Sequence, residues 1–274
     1  MGTGPGALTD AVAVVTGAGR MRSIGRAVAL ELARAGCHVV VTGSEGGAAP
    51  RTDEERAAHW RGAASVADEV RALGRRATAC AVDVGDESSV DALWDTVFDR
   101  HGRVDVLVNN AAAPRGADRV ALTDLDPAVF DRVMQTNVRG TFLMSRRCAQ
   151  RMVEQGDGGA IINISSIAGK LGSPQAAAYA ASKAAVQSLT VSAARELAAD
   201  RVRVNALCPG IVATGRLNGA SDADWQRSIA AMVPLGTAGQ PQDIAWAAAY
   251  LAGEQGRWIT GQAWNIDGGQ LTVR

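Results

Sequence analysis

Seven short apolar runs rich in β-branched residues, at 11–16, 37–42, 77–82, 104–109, 160–165, 203–207 and 262–267, alternate with longer amphipathic stretches. Hydrophobicity inside each run is continuous rather than alternating, which marks strands covered on both faces. Strand, helix and strand in that rhythm specify a parallel sheet with helices on each side, a doubly wound α/β fold. Gly36, Gly74 and Gly102 each stand between a periodic segment and the next run, where a left-handed residue ends a helix. With 274 residues, 47% of them apolar, residues 1–274 suit one domain with a sizeable core, and no linker or internal repeat interrupts them. The one irregularity in the first half is 43–61, rich in Gly, Pro and charge and longer than such connections usually run. It is expected to cover part of a ligand.

The formal net charge is zero, with no run of like charges and no alternation of arginines with aromatics, so neither nucleic acid nor an anionic membrane surface is an expected partner. Residues 1–9 lack the pattern of a signal peptide and no apolar stretch is long enough to span a bilayer, so a soluble, cytoplasmic protein is expected. Cys37, Cys80, Cys148 and Cys208 are widely spaced, and His38, His59 and His101 lie far apart. That spacing predicts buried reduced thiols and no metal site. A small neutral or modestly charged molecule is left as the partner class.

The first run leads directly into a loop from Thr16 through Gly17, Gly19, Arg20, Arg22, Ser23, Ile24 and Gly25 that opens a helix. Glycines there let backbone approach a pyrophosphate, and a helix N-terminus offers it N–H groups and a favourable dipole. A dinucleotide is therefore expected. NAD is commonly read by an acid at the end of the second strand, whereas its absence beside an arginine suits a 2′-phosphate. Gly43 occupies that place, followed by Ser44. Arg20, Arg22 and Ser44 together suit a phosphate and Glu45 opposes it, so NADP(H) is favoured over NAD(H).

Tyr179 and Lys183 lie one helical turn apart, thirteen residues beyond Ser166, in a chain with only two tyrosines and two lysines. Side chains at i and i+4 share a helix face, so the ammonium can favour the phenolate and make Tyr179 a general acid or base. The scarcity of both residue types makes coincidence a poor explanation.

With the glycine loop, Asp83-Val84, Asn109-Asn110-Ala111-Ala112, Asn137, Ser166, Tyr179, Lys183 and Pro209-Gly210 in this order, the chain resembles the short, single-domain branch of the short-chain dehydrogenase/reductase family from about Leu8 to Gly269. The resemblance implies a Rossmann-type sheet of seven parallel strands, a nicotinamide cofactor and a homotetramer, with a homodimer as the alternative. It implies Tyr179 as the acid/base, Lys183 as its neighbour and a ligand of the nicotinamide ribose, Ser166 rather than Ser165 as the donor to the carbonyl, and Asn137 as the holder of a relay water. It further implies Asp83 on the adenine amine, with Val84, Asn110, Ala111, Ala112, Pro209, Gly210, Ile211, Val212 and Thr214 along the cofactor. Two departures are visible: the family's loop is lengthened here by two residues with Ser23 in place of its middle glycine, and Ala112 stands where a glycine is usual.

Substrate specificity is expected from loops at the carboxyl ends of the strands. Arg115 is a candidate partner for a substrate carboxylate or phosphate, with Leu171, Gln175, Ile211 and Trp225 as further pocket residues. The stretch 215–239, with Gly219, Gly236 and Gly239, reads as a lid. Together these features predict an NAD(P)(H)-dependent oxidoreductase acting on a carbonyl or secondary alcohol of a small molecule, with NADPH-dependent ketone reduction favoured. An NAD-dependent alcohol dehydrogenase is the alternative. A noncatalytic dinucleotide sensor is disfavoured by the intact Asn137, Ser166, Tyr179 and Lys183, and an epimerase or dehydratase by the lack of room for a C-terminal substrate domain.

Overall fold

A computed structural model describes residues 8–44, 51–215 and 222–272. Its strands are β1 (Val12–Val15), β2 (His38–Gly43), β3 (Ala77–Ala81), β4 (Val106–Asn109), β5 (Gly159–Ile164), β6 (Val202–Pro209) and β7 (Ala263–Ile266). They form one seven-stranded sheet in the order β3-β2-β1-β4-β5-β6-β7. Every pairing is parallel, from β1 on β2 and β4 to β6 on β7. The doubly wound, seven-stranded Rossmann-type fold expected from the sequence is therefore present, with boundaries shifted by one or two residues.

The helices are α1 (Ile24–Arg34), α2 (Asp53–Ala57), α3 (Ala63–Ala72), α4 (Glu87–His101), α5 (Pro127–Met134), α6 (Gly140–Gln155), α7 (Ala168–Leu171), α8 (Ala177–Leu197), α9 (Asp222–Met232) and α10 (Pro241–Ala252). Strand side chains alternate between two cores. Ala13, Val15, Val39 and Val41 pack with Val28 and Leu32 of α1, Val66 of α3 and Ile244 and Leu251 of α10. On the other face Val14, Val40 and Leu107 pack with Leu93 and Trp94 of α4, Met144 and Met152 of α6 and Ala194 of α8. The central strands are apolar for this reason: both faces are dry, so polar residues such as Asn109 and Asn163 enter them only where hydrogen-bonded.

Gly36, Gly74 and Gly102 all take positive φ at the helix-to-strand transitions, and Gly102 donates its N–H to the Phe98 carbonyl to close α4. In the connection after β2, the described residues from 51 onward form a capped helix. Thr52 caps α2 in a reciprocal capping box with Glu55, and Trp60 beyond it is buried. A polar chain crosses the sheet interior: Asn109 Nδ2 donates to Ser145 Oγ at 2.8 Å and to Asn163 Oδ1 at 2.9 Å, and Asn163 Nδ2 donates to Thr190 Oγ1 at 2.9 Å. Asn109 and Asn163 are register partners on β4 and β5, so this chain ties the strands to α6 and α8.

Candidate active site

The strand order reverses direction between β1 and β4, and the crevice at their carboxyl ends is where a doubly wound sheet takes its ligand. Thr16 joins the two ends. Its Oγ1 accepts from Asn110 N at 2.9 Å and Ala111 N at 3.0 Å, while Asn110 Nδ2 donates to the carbonyls of Thr16 at 2.8 Å and Gly17 at 3.0 Å. The Asn110 side chain thus braces the glycine loop. Gly17, at φ +64°, lies so close that an added Cβ would sit 2.7 Å from Ala111 Cα, and one on Gly25 would sit 2.5 Å from Asn110 Nδ2. Only glycine allows this approach of loop to strand end. Ser23, in the place of a glycine, becomes the N-cap of α1: Oγ accepts from Arg26 N at 3.1 Å and donates to Arg20 O at 2.9 Å. Ile24 and Gly25 then open the helix toward the crevice. A narrow glycine turn feeding a helix N-terminus fits the pyrophosphate of a dinucleotide.

The two extra residues of this loop are held from both sides. Glu55, 3% exposed, accepts from Arg20 Nε at 2.9 Å and from Met21 N at 3.0 Å, and Trp60 Nε1 donates to Gly19 O at 2.7 Å. Gly215 N donates to Arg22 O at 3.0 Å, joining the loop to the segment after β6. Arg20, expected on a phosphate, is therefore ion-paired with Glu55, whereas among the described residues Arg22 makes an exposed 3.9 Å contact with Glu54. Burial alone would raise the Glu55 carboxyl, yet the Met21 and Thr52 N–H groups and the Arg20 guanidinium hold it below the ordinary carboxylate value. Gly43 closes β2 with exposed Ser44 after it, and Glu45 lies outside the described residues.

Farther along the cleft, Asp83 follows β3 exposed, with Oδ1 accepting from Gly85 N at 2.9 Å, and buried Val84 packs on Gly140. Pro209 ends β6, Gly210 N donates to Ile266 O at 3.1 Å, and Ile211 N donates to Gln270 Oε1 at 2.8 Å. Val212 bridges to Gly239, which sets Ala213 and half-buried Thr214 beside the loop that carries Arg22.

Ser166 follows β5, and the first turns of α8 carry Tyr179 and Lys183. Lys183 is 4% exposed: Nζ donates to Ile164 O at 2.7 Å and lies 5.8 Å from the Tyr179 ring centroid. The two serines differ in what they bond. Ser165 Oγ donates to Lys183 O at 2.9 Å, while Ser166 Oγ accepts from Ala168 N at 3.1 Å. Gln187 fastens both, donating to Ser165 Oγ at 3.0 Å and Ser166 O at 3.1 Å. Asn137 sits in a π-turn between α5 and α6. Its Oδ1 accepts from Ala113 N at 2.8 Å and its Nδ2 donates to Ser182 Oγ at 2.9 Å, which in turn donates to Tyr179 O at 2.7 Å. One buried amide thus joins the loop after β4 to the turn that carries the tyrosine; π-turns recur at functional sites for such reasons.

Of the expected pocket residues, Arg115 is exposed, Leu171 is 53% exposed and Gln175 takes a left-handed φ of +57°. The residue on the Tyr179 ring is Arg119, whose guanidinium carbon lies 4.4 Å from the centroid. Half-buried Trp225 lies on α9, with Ile229 and Val233 buried; residues 216–221, including Gly219 of the expected lid, lie outside the described residues. Sequence reasoning missed Ser182, Gln187, Glu55, Trp60 and Arg119. Only Glu55 carries a local signal, the Thr52-x-x-Glu55 spacing of a capping box; nothing in the local spacing of the others marks them.

Among the described residues no group of three His, Cys, Asp or Glu side chains is placed to hold a metal, and no helix is long and apolar enough to cross a membrane. The cysteines are unpaired; burial pushes the Cys37 thiol up to about 12 and that of Cys148 well above its ordinary value.

Comparison with known proteins gives this geometry a context. A family profile described as enoyl-(acyl carrier protein) reductase matches residues 17–270. The chain is 37% identical over 263 residues to L-rhamnose 1-dehydrogenase (NAD(P)(+)) of Azotobacter vinelandii, covering 96% of this chain and 97% of the relative. It is also 37% identical over 268 residues to a 3-oxoacyl-[acyl-carrier-protein] reductase of Synechocystis, covering 97% and 98%. A crystal structure from Sinorhizobium meliloti 1021, assigned as a short-chain alcohol dehydrogenase, superposes with a TM-score of 0.83 at 34% identity, covering 96% of this chain and 97% of the other.

Proposed function

Given that the chain belongs to the short-chain dehydrogenase/reductase family and is an NAD(P)-dependent oxidoreductase, we propose that it reduces a ketone of a small organic molecule, with NADPH preferred and Tyr179 as the proton donor. The observation that carries this reading is that the buried Lys183 ammonium lies 5.8 Å from the Tyr179 ring centroid, while Asn137 reaches the same turn of α8 through Ser182. The nicotinamide, when bound, supplies or takes the hydride.

In this proposal Gly17, Gly19, Ser23, Ile24 and Gly25 hold the pyrophosphate, Asp83 the adenine, and Asn110, Ala111, Ala112 and the 209–214 segment line the rest of the cleft. Tyr179 O–H gives its proton to the substrate oxygen, and Ser166 Oγ donates to that same oxygen as charge gathers on it. The buried Lys183 ammonium favours the phenolate left behind and binds the ribose. Asn137 keeps the α8 turn in register, and its backbone supports a relay water. Arg22 and Ser44, rather than Arg20, take the 2′-phosphate. The enzyme is proposed to be cytoplasmic and tetrameric and to recruit 215–239 over its substrate.

A specific observation favours the alternative, an NAD-dependent alcohol dehydrogenase: Glu55 neutralises Arg20. Turnover of NADPH and NADH with a panel of ketones and secondary alcohols decides between the two. Tyr179→Phe should lose about 10²-fold or more in kcat while cofactor affinity by calorimetry stays unchanged. Full activity in that variant would sink the mechanism, and cofactor binding without any turnover would favour a noncatalytic sensor.

A further inference from the structure

The last residue of β5 and the two after it are each tied to α8. Ile164 O accepts from Lys183 Nζ at 2.7 Å, Ser165 Oγ donates to Lys183 O at 2.9 Å, and Ser166 O accepts from Gln187 Nε2 at 3.1 Å. Gln187 Nε2 also donates to Ser165 Oγ at 3.0 Å. Both of its partners need a donor: Ser166 O can only accept, and the one Ser165 hydroxyl proton is committed to Lys183 O. The two protons of one amide nitrogen match these two acceptors, which fixes the orientation of the amide. Packing holds it there, since a Cβ on Gly169 of α7 would sit 2.6 Å from Gln187 Nε2 and 2.7 Å from Ala184 N. Ser165 and Ser166 are buried, so water is poorly placed to replace these bonds.

We propose that Gln187 is a positioning residue for the reaction, fixing Ser166 against the helix that carries Tyr179 so that both hydroxyls reach one substrate oxygen. The proposal rests on the reading of Ser166 as a donor to that oxygen. Tyr179, Lys183 and Gln187 stand at i, i+4 and i+8 of α8 and so share one face. Ser166 also takes bonds from Ala168 N to Oγ at 3.1 Å and from Gly169 N to its carbonyl at 3.1 Å. Those two come from the same turn as the serine and move with it. The bond from Gln187 comes from α8, and it is the one that sets the serine relative to the tyrosine. Reacting groups displaced by about 1 Å lose up to about 10²-fold in rate, so a bond of this kind governs turnover more than affinity.

The test measures reduction of ethyl 3-oxobutanoate and cyclohexanone, with NADPH and with NADH, by the natural protein, Gln187→Met, Ser166→Ala and the double variant. Gln187→Met keeps the length of the side chain without its donors, and should lose about tenfold in kcat while cofactor KM stays within about twofold. Gln187→Glu, whose carboxylate cannot donate to Ser166 O, should lose at least as much. A side chain that acts through Ser166 has nothing to act on once that hydroxyl is gone, so Gln187→Met should cost no more than about twofold in the Ser166→Ala background. A purely structural role would give the same loss in both backgrounds. That result, or unchanged kcat in both Gln187 variants, overturns the proposal. Full activity in Ser166→Ala, or no turnover of either ketone by the natural protein, would overturn the reading on which the role of Gln187 rests. An impaired Ser166→Ala beside a fully active Gln187→Met removes Gln187 alone.

Discussion

Glu55 clamps Arg20: a carboxylate on the second connection reaches back across the sheet edge to accept from Arg20 Nε at 2.9 Å and from the neighbouring Met21 N at 3.0 Å. The lengthened glycine loop therefore does not hang free over the cofactor cleft. Its shape is fixed by a residue that follows the next strand.

Removing the clamp should loosen the cleft without touching the chemistry. Glu55→Ala is expected to lose about 2 kcal/mol of stability, the worth of hydrogen bonds to one buried charge, and to raise the cofactor KM severalfold with kcat retained. Glu55→Gln, which keeps an acceptor for Met21 N, should lose less. Because the folded carboxyl titrates below its ordinary value, its contribution is present above the unfolded value of about 4.3 and is lost as pH falls through the folded one. Denaturant melts at pH 7 and at steps below about 4.3 check this: the wild type and Glu55→Gln should differ at pH 7, and the difference should shrink as pH falls.

Coenzyme choice should respond to Arg22 and not to Arg20. If Arg22 meets the 2′-phosphate, Arg22→Ala raises KM for NADPH about tenfold and leaves KM for NADH within a factor of two. Equal effects on both coenzymes would show that the arginine serves only the loop.

Stability should fall on the acid side of neutrality through His101. Burial pushes its imidazole below the ordinary value, and Arg76, His38 and Arg100 add repulsion; its Nε2 meets Thr78 Oγ1 at 3.0 Å. The neutral ring is the one the fold accepts, so stability is full above the unfolded value of about 6.5 and declines as pH drops below it. Melting temperatures between pH 8 and pH 5 should show this slope in the wild type and a shallower one in His101→Gln.

Arg203 binds the end of α10. Its guanidinium donates to the carbonyls of Leu251 at 2.5 Å, Gly256 at 2.9 Å and Ala252 at 3.1 Å, acceptors that a helix C-terminus leaves over. Arg203→Met should cost about 2–4 kcal/mol in denaturant melts with cofactor KM unchanged, since the contact lies away from the cleft. An unaltered melt would mean that water satisfies those carbonyls equally well.

The sequence determined the sheet and the order of the site. The apolar runs of the central strands were legible because a strand buried on both faces must be largely apolar, and that requirement is local; the edge strands β3 and β7 followed the same rhythm though they are only partly buried. The Tyr179 to Lys183 spacing was legible for the same reason: a helix places i and i+4 together wherever it lies in the fold. Tertiary structure decided the partners. Arg20 and Arg22 look alike in sequence, yet one is paired with a buried acid thirty-five residues away and the other is exposed. Arg115 and Arg119 look alike too, but only Arg119 rests on Tyr179. Ser165 and Ser166 part company because the strand end turns one hydroxyl onto the Lys183 carbonyl of α8 and the other onto the backbone N–H of Ala168. Each of these choices depends on where strands distant in sequence end beside one another, and that is settled by the packing of helices on both faces of the sheet rather than by any residue's neighbours in the chain.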